Sequence, residues 1–173
     1  MLLEFKTKNY KSFVEEASFS MVAAPKQKGL DYSLMKTKIK GKEIKGLSSS
    51  VIYGPNAAGK TNIIGAMDVL RSIVLRGNIR NSEEKSSPNP AASALELIPN
   101  NNESEAKPVC FEIEFYEEDG EEHKFKIHYE LQIDLGTFLE EEYQRKILAE
   151  VLEVNGERVF ERRKLKGNQR LFI

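Results

Sequence analysis

The run Ser48-Ser49-Ser50-Val51-Ile52-Tyr53-Gly54-Pro55-Asn56-Ala57-Ala58-Gly59-Lys60-Thr61 constrains this chain more than any other, because an apolar segment there meets a loop spaced to wrap an anion. Gly54 and Gly59 are separated by four residues and followed by Lys60-Thr61, which is the G-x-x-x-x-G-K-[ST] spacing of a phosphate-binding loop. Small side chains let backbone N–H groups point inward at the α- and β-phosphates. Lys60 then carries a point charge to the β/γ oxygens, the catalytic role in this loop, and the Thr61 hydroxyl is a ligand for Mg²⁺. The motif requires a strand before it and a helix after it. Val51-Ile52-Tyr53 is a short β-prone run. From about Thr61, Ile63, Met67, Leu70 and Val74 recur at helical spacing, with Ile64 and Ile73 widening the apolar face and Gly77 offering a stop. The opening of that helix adds partial positive charge to the same site. A Gly-Lys-Thr turn that binds nothing is the competing reading, and the flanks argue against it.

With 173 residues and 40% hydrophobic content the chain can bury one core without a second domain. Its net charge of −1, from 26 basic and 27 acidic residues, gives no global attraction to nucleic acid or anionic membrane. One cysteine, Cys110, excludes an internal disulfide, fits a reducing compartment and reads as a small strand residue. Met1 to Lys6 alternates apolar and charged residues, unlike a signal peptide or a membrane span, so a cytoplasmic location and no membrane partner are expected.

Leu3 and Phe5 alternate with Glu4 and Lys6 as an opening strand that runs into Asn9-Tyr10-Lys11-Ser12-Phe13, and a second strand is expected over 17–23, pairing antiparallel with the first. Pro25 and Gly29 break the pattern. Lys36, Lys38, Lys40 and Lys42 fall at every second residue, so a strand over 35–43 would project them from one face. That strip suits either nucleic-acid phosphates or a solvated edge protected from aggregation, and the lack of interleaved aromatics favours the edge. Residues 78–93 read as a mobile loop, 94–98 as a short strand and 99–108 as a polar surface insertion.

Phe111, Ile113 and Phe115, then Phe125, Ile127, Tyr129, Leu131 and Ile133, alternate with polar residues around a Glu118-Asp119-Gly120 turn, which predicts a hairpin with one buried face. His123 and His128 lack partners at ligand spacing and read as solvated. Residues 136–146 read as a short helix whose Glu140, Glu141 and Glu142 form a solvated face. Asn155-Gly156 marks a second hairpin, 147–154 with 158–163. The apolar end Arg170-Leu171-Phe172-Ile173 suggests a cut chain.

A nucleotide-hydrolysing site needs a second acidic element behind a buried strand. No run of four apolar residues followed by Asp-Asp or Asp-Glu occurs, and no Leu-Ser-Gly-Gly type element either. Phe115 to Gly120 comes nearest, and it sits in a turn.

On these residues the sequence resembles the N-terminal part of ABC-type ATPase heads of the SMC, RecF and OLD class, and more specifically the bacterial AAA family ATPases linked to abortive infection and phage defence. The resemblance rests on Leu3-Glu4-Phe5 through Phe13, on Gly54 to Ile64 as a Walker A, and on Phe111-Glu112-Ile113-Glu114-Phe115. It implies an α/β P-loop NTPase fold with a β-rich antiparallel subdomain, present as the N-terminal part: 1–77 with the opening strands, Walker A and helix, 78–108 as a polar mobile insertion, and 109–173 as the β-rich lobe. It implies ATP and Mg²⁺ as cofactors, held by Gly54, Pro55, Asn56, Ala57, Ala58, Gly59, Lys60, Thr61 and Asn62, with Lys11 and Ser12 near the nucleotide and Thr61 on the metal. Ala57 stands where many such heads carry Gly. A Gln that touches Mg²⁺ has two candidates, Gln132 and Gln144. Full-length family members pair two heads around ATP, so a homodimer, a nuclease or toxin partner and DNA are the implied partners. Walker B and the signature motif would lie beyond Ile173.

Three functions remain open from sequence: the ATP-binding half of an ATPase completed elsewhere, a non-catalytic nucleotide-sensing module, and a DNA-binding β-domain using the lysine strip.

Overall fold

The computed structural model describes residues 1–24, 29, 31–39, 41–80, 95–101, 106–119, 123–138, 143–165 and 168–172. Its frame is a seven-stranded sheet in the order β2-β1-β5-β6-β7-β8-β9, every neighbouring pair antiparallel. The strands are β1 (Leu2–Lys8), β2 (Ala17–Ser20), β5 (Val109–Glu118), β6 (Lys124–Asp134), β7 (Lys146–Val154), β8 (Glu157–Leu165) and β9 (Asn168–Phe172). A two-stranded sheet pairs β3 (Leu34–Ile39) with β4 (Lys42–Leu47), and α1 (Lys60–Arg76) is the α-helix among the described residues.

The alternation read from sequence produces this sheet. Leu3, Phe5 and Thr7 are buried on β1 while Glu4 and Lys6 face outward. Phe5 pairs with Ile113 and Thr7 with Phe111, and these continue to Tyr129 and Leu131 on β6. The outer face carries the opposite pattern, with Lys6 bonded to Glu112 at 2.9 Å and Lys126 to Glu114 at 2.8 Å. Such exposed pairs contribute at most about 1 kcal/mol each. The core is apolar: Phe5, Phe111, Leu131 and Ile133 meet Ile63, Ala66, Val69, Leu70 and Ile73 of α1. Each large side chain buried there contributes about 1.5–3 kcal/mol. The β7–β8 hairpin turns through Asn155 and Gly156 at φ 55° and 81°, the left-handed pair that a two-residue type I′ connection needs.

Several expectations are corrected. Val51-Ile52-Tyr53 forms no strand, and Val51 and Tyr53 are 82% and 90% exposed. A β-prone run becomes a strand only beside another, and no described strand lies next to this one. The segment over 35–43 is instead the β3–β4 hairpin, folded back through Gly41 at φ 81°. Lys36 faces Lys45 and Lys38 faces Glu43, whereas Lys42 pairs with Ile39 on the other face; Lys40 lies outside the described residues. The helix is turned from its expected stripe. Gly65 and Ala66 lie inward, where a Cβ on Gly65 would come within 3.6 Å of the Tyr10 hydroxyl, so Ile64 and Val74 are left exposed. Small residues win the inward positions because they let the helix approach the sheet.

The segment 95–98 forms no strand, though Leu95 and Leu97 are buried; of the stretch 99–108 read as a surface insertion, Pro99 bridges to Tyr10 and Asn100 is buried, while Asn101, Ala106 and Lys107 are exposed. No helix is present among the described residues of 136–146; Glu140, Glu141 and Glu142 lie outside them, as do 81–93, Pro25, Gly120 and Ile173. Among the described residues the architecture is mostly antiparallel β with one helix, in keeping with the expected β-rich antiparallel part.

Candidate functional site

The loop from Gly54 to Gly59 ends in a residue with φ 82°, the left-handed conformation, and α1 starts at Lys60. Only glycine adopts that conformation without steric cost, and space excludes other residues as well. A Cβ on Gly59 would lie 3.0 Å from the Phe13 ring and 3.1 Å from the Ser12 hydroxyl. Glycine at 59 is therefore fixed by backbone and by the turn packed behind it.

No side chain caps α1, and no acidic residue occupies its first turn. The first N–H groups of such a helix have no intrahelical acceptors, and its dipole places partial positive charge there. Gly54, Pro55, Asn56, Ala57 and Ala58 are exposed around it, as is Thr61. The Lys60 ammonium folds back over the loop and donates to the Gly54 carbonyl at 2.8 Å and the Pro55 carbonyl at 2.6 Å. The loop thus presents an uncapped helix start and a lysine held by its own carbonyls, which is chemically suited to an anion.

Ala57 has φ 64°. A non-glycine residue there costs roughly 1–2 kcal/mol, so the alanine where glycine is common is accommodated under strain.

The opening strand reaches this loop through the turn 10–13. The Tyr10 and Phe13 backbones bond each other at 3.0 and 2.9 Å, and Asn9 and Lys11 take φ 53° and 48°. Asn62 donates from Nδ2 to the Ser12 hydroxyl at 2.7 Å. Ser12 therefore sits against the loop at Gly59.

Lys11 is directed elsewhere. Its ammonium donates to Glu96 at 2.5 Å, and its backbone is held by the Ile98 carbonyl and the Asn100 amide. Burial pulls the Lys11 pKa down, but the bonds to Glu96 and Tyr10 outweigh this and the net shift is upward. Glu96 and Asn100 are not singled out by the sequence, and Phe13 enters there only as the end of the opening run. The only advance signal was the Asn9, a residue type enriched at positive φ.

Gln132 lies on β6 and Gln144 beside a cleft at the Gly77 end of α1. A 17-residue helix is roughly 25 Å long, so Gln144 is far from Lys60 here. His123 and His128 pair with Asp119 at 3.0 Å and Glu130 at 2.9 Å.

An uncapped helix start behind a glycine-rich loop, carried on an antiparallel sheet, defines a candidate nucleotide-phosphate site. The family model described as "AAA domain, putative AbiEii toxin, Type IV TA system" matches residues 49–166, more than half of the chain, and the chain belongs to this family. Its membership carries nucleotide binding as the general property of an AAA domain. No curated protein and no solved structure matches the chain significantly. No helix among the described residues is long and apolar enough to cross a membrane.

Proposed function

We propose that this chain binds ATP with Mg²⁺ through Gly54–Thr61, as the N-terminal part of an ABC-type ATPase head of the SMC, RecF and OLD kind. The observation that carries the reading is the junction at Gly59, where a left-handed glycine opens an uncapped helix beneath a folded-back Lys60. The residues fit a triphosphate. The loop N–H groups and Lys60 would hold the phosphates, with the ammonium exchanging the Gly54 and Pro55 carbonyls for phosphate oxygens, and the Thr61 hydroxyl would hold Mg²⁺. Asn62 acts through Ser12, keeping the 10–13 turn under the loop. Bound Mg²⁺ supplies charge neutralisation between the β- and γ-phosphates.

Hydrolysis requires an acidic element that this sequence lacks, so it is completed by further sequence or a second polypeptide. Two features support an incoming layer: the exposed Val51 and Tyr53, and the exposed Ile64 and Leu75 on the outer side of α1. In the full assembly two heads would pair around ATP and control a nuclease or toxin in bacterial antiphage defence, in the cytoplasm. The missing second acidic element also leaves a second reading, in which ATP is a sensed ligand and is not turned over.

The test is calorimetric titration of ATP with Mg²⁺ into the 173-residue chain, with phosphate release followed on the same sample. Binding without turnover, lost in Lys60→Ala with circular dichroism unchanged, is the expected result. Unchanged ATP affinity in Lys60→Ala would overturn the assignment.

A further inference from the structure

The turn after β1 is bent twice against its preference. Asn9 and Lys11 take φ 53° and 48°, and both lie past the end of β1, so the strand ladder does not satisfy their carbonyls. Left-handed residues other than glycine persist only where the surrounding structure holds them. Here the hold comes from a segment distant in sequence. Asn100 donates to both carbonyls, from its backbone N–H to Asn9 at 3.2 Å and from Nδ2 to Lys11 at 2.6 Å. It is 6% exposed, so water does not replace it. The Ile98 carbonyl accepts the Lys11 N–H at 3.0 Å, and Pro99 bridges Tyr10. The ion pair of Lys11 with Glu96 is the weaker tie, because the Glu96 side chain is 70% exposed and solvent screens it.

The same turn backs the phosphate loop. Tyr10 is fully buried and packs edge-on against Phe111 at 5.7 Å, which fixes one end of the turn in the core. The other end follows the orientation set at Lys11. There the Ser12 hydroxyl accepts Asn62 of α1, and the Phe13 ring fills the space behind Gly59.

We infer that Asn100 is a positioning residue for the phosphate loop: it fixes the 10–13 turn and, through Ser12 and Phe13, the shape of the loop at Gly59. It touches neither the loop nor the helix start in any bond described above, so it acts only through the turn. Coupling of this kind is reciprocal. What Asn100 contributes to nucleotide affinity, bound nucleotide returns as slower exchange of the Lys11 and Asn100 amides. The effect on affinity rests on the phosphate site proposed above, whereas the effect on loop shape does not.

Amide exchange of the full chain, free and with ATP and Mg²⁺, is measured beside calorimetric titration of ATP. Asn100→Asp keeps the side-chain volume and loses the Nδ2 donor. In that variant the 54–62 amides should exchange several-fold faster in the free chain while those of β5 and β6 stay unchanged, and ATP affinity should fall roughly tenfold. Asn100→Ala should match it, and Glu96→Gln should stay within about twofold of the unaltered chain. In a Ser12→Ala background the loss from Asn100→Asp should shrink, because both act through one turn. ATP should slow exchange at Lys11 and Asn100 in the unaltered chain and not in Lys60→Ala.

Unchanged loop exchange in the Asn100 variants would overturn the inference, as would acceleration spread evenly over the sheet. So would an Asn100→Asp chain that behaves as unaltered while Asn100→Ala does not, since that is packing alone, or losses that simply multiply in the double variant. If the unaltered chain binds no ATP, the phosphate-site reading fails by itself, and free-chain exchange over 54–62 still decides the role of Asn100.

Discussion

The Asn62 carboxamide donates to the Ser12 hydroxyl at 2.7 Å, joining the first turn of α1 to the turn after β1 across 50 residues of sequence. Phe13, the next residue, fills the space behind Gly59. Loop shape is therefore held from behind by the opening strand, and that strand is anchored in the core through Phe5 and Tyr10.

Ser12→Ala removes that acceptor at an exposed position. Stability should fall by no more than about 1 kcal/mol, the net worth of one such bond. ATP affinity should drop several-fold because Asn62 and the helix start lose their register. Paired denaturant melts and calorimetric titrations separate the two, and an unchanged affinity would show that the contact does not position the loop.

Two substitutions within the loop should act in opposite directions. Ala57→Gly relieves a left-handed alanine and should stabilise the loop by about 1 kcal/mol, read as slower amide exchange over 54–60. Gly59→Ala places a methyl 3.0 Å from the Phe13 ring at φ 82°, and should lower the melting temperature and abolish nucleotide binding. Phe13→Leu combined with Gly59→Ala should recover little, since the backbone strain remains.

The alkaline limb of stability should depend on Tyr129. Burial and then its bond to Glu150 raise the phenol's pKa well above the usual 10.0. A group whose folded pKa is raised contributes stability that is complete below its unfolded pKa and is lost as pH climbs through and beyond that value. Unfolding free energy should therefore decline from about pH 10 upward, and Tyr129→Phe should flatten that decline. Chemical denaturation at several alkaline pH values, with tyrosinate absorbance as the second signal, measures it. Equal slopes in both proteins would mean that Tyr129 is solvated.

Val51→Thr and Tyr53→Thr should leave the melting temperature of this chain within about 0.5 kcal/mol equivalent, because both side chains face solvent. Light scattering should report less self-association in the double variant. A large loss of stability would mean that these residues are packed in solution.

Local chemistry made part of this molecule readable. Asn155-Gly156 forces a hairpin turn because both positions need positive φ, and the alternation through Phe111, Ile113, Leu131 and Ile133 assigns a buried face because strand side chains repeat every two residues. The spacing from Gly54 to Thr61 specified a loop followed by a helix start, since glycine and lysine carry that geometry themselves. The Gly41 turn was missed because evenly spaced lysines mask a reversal of direction.

What the sequence by itself determined is therefore whatever depends on neighbours along the chain: the Asn155-Gly156 turn, the strand faces, the helix and the Gly54–Thr61 spacing. Only the tertiary structure decided which side of α1 is inward, that Leu95 and Leu97 belong to the core, that Lys11 is held by Glu96, and that Val51-Ile52-Tyr53 stays unpaired. Each of these depends on a partner distant in sequence, through packing volume, an ion pair or a neighbouring strand, and no local pattern encodes the position of such a partner.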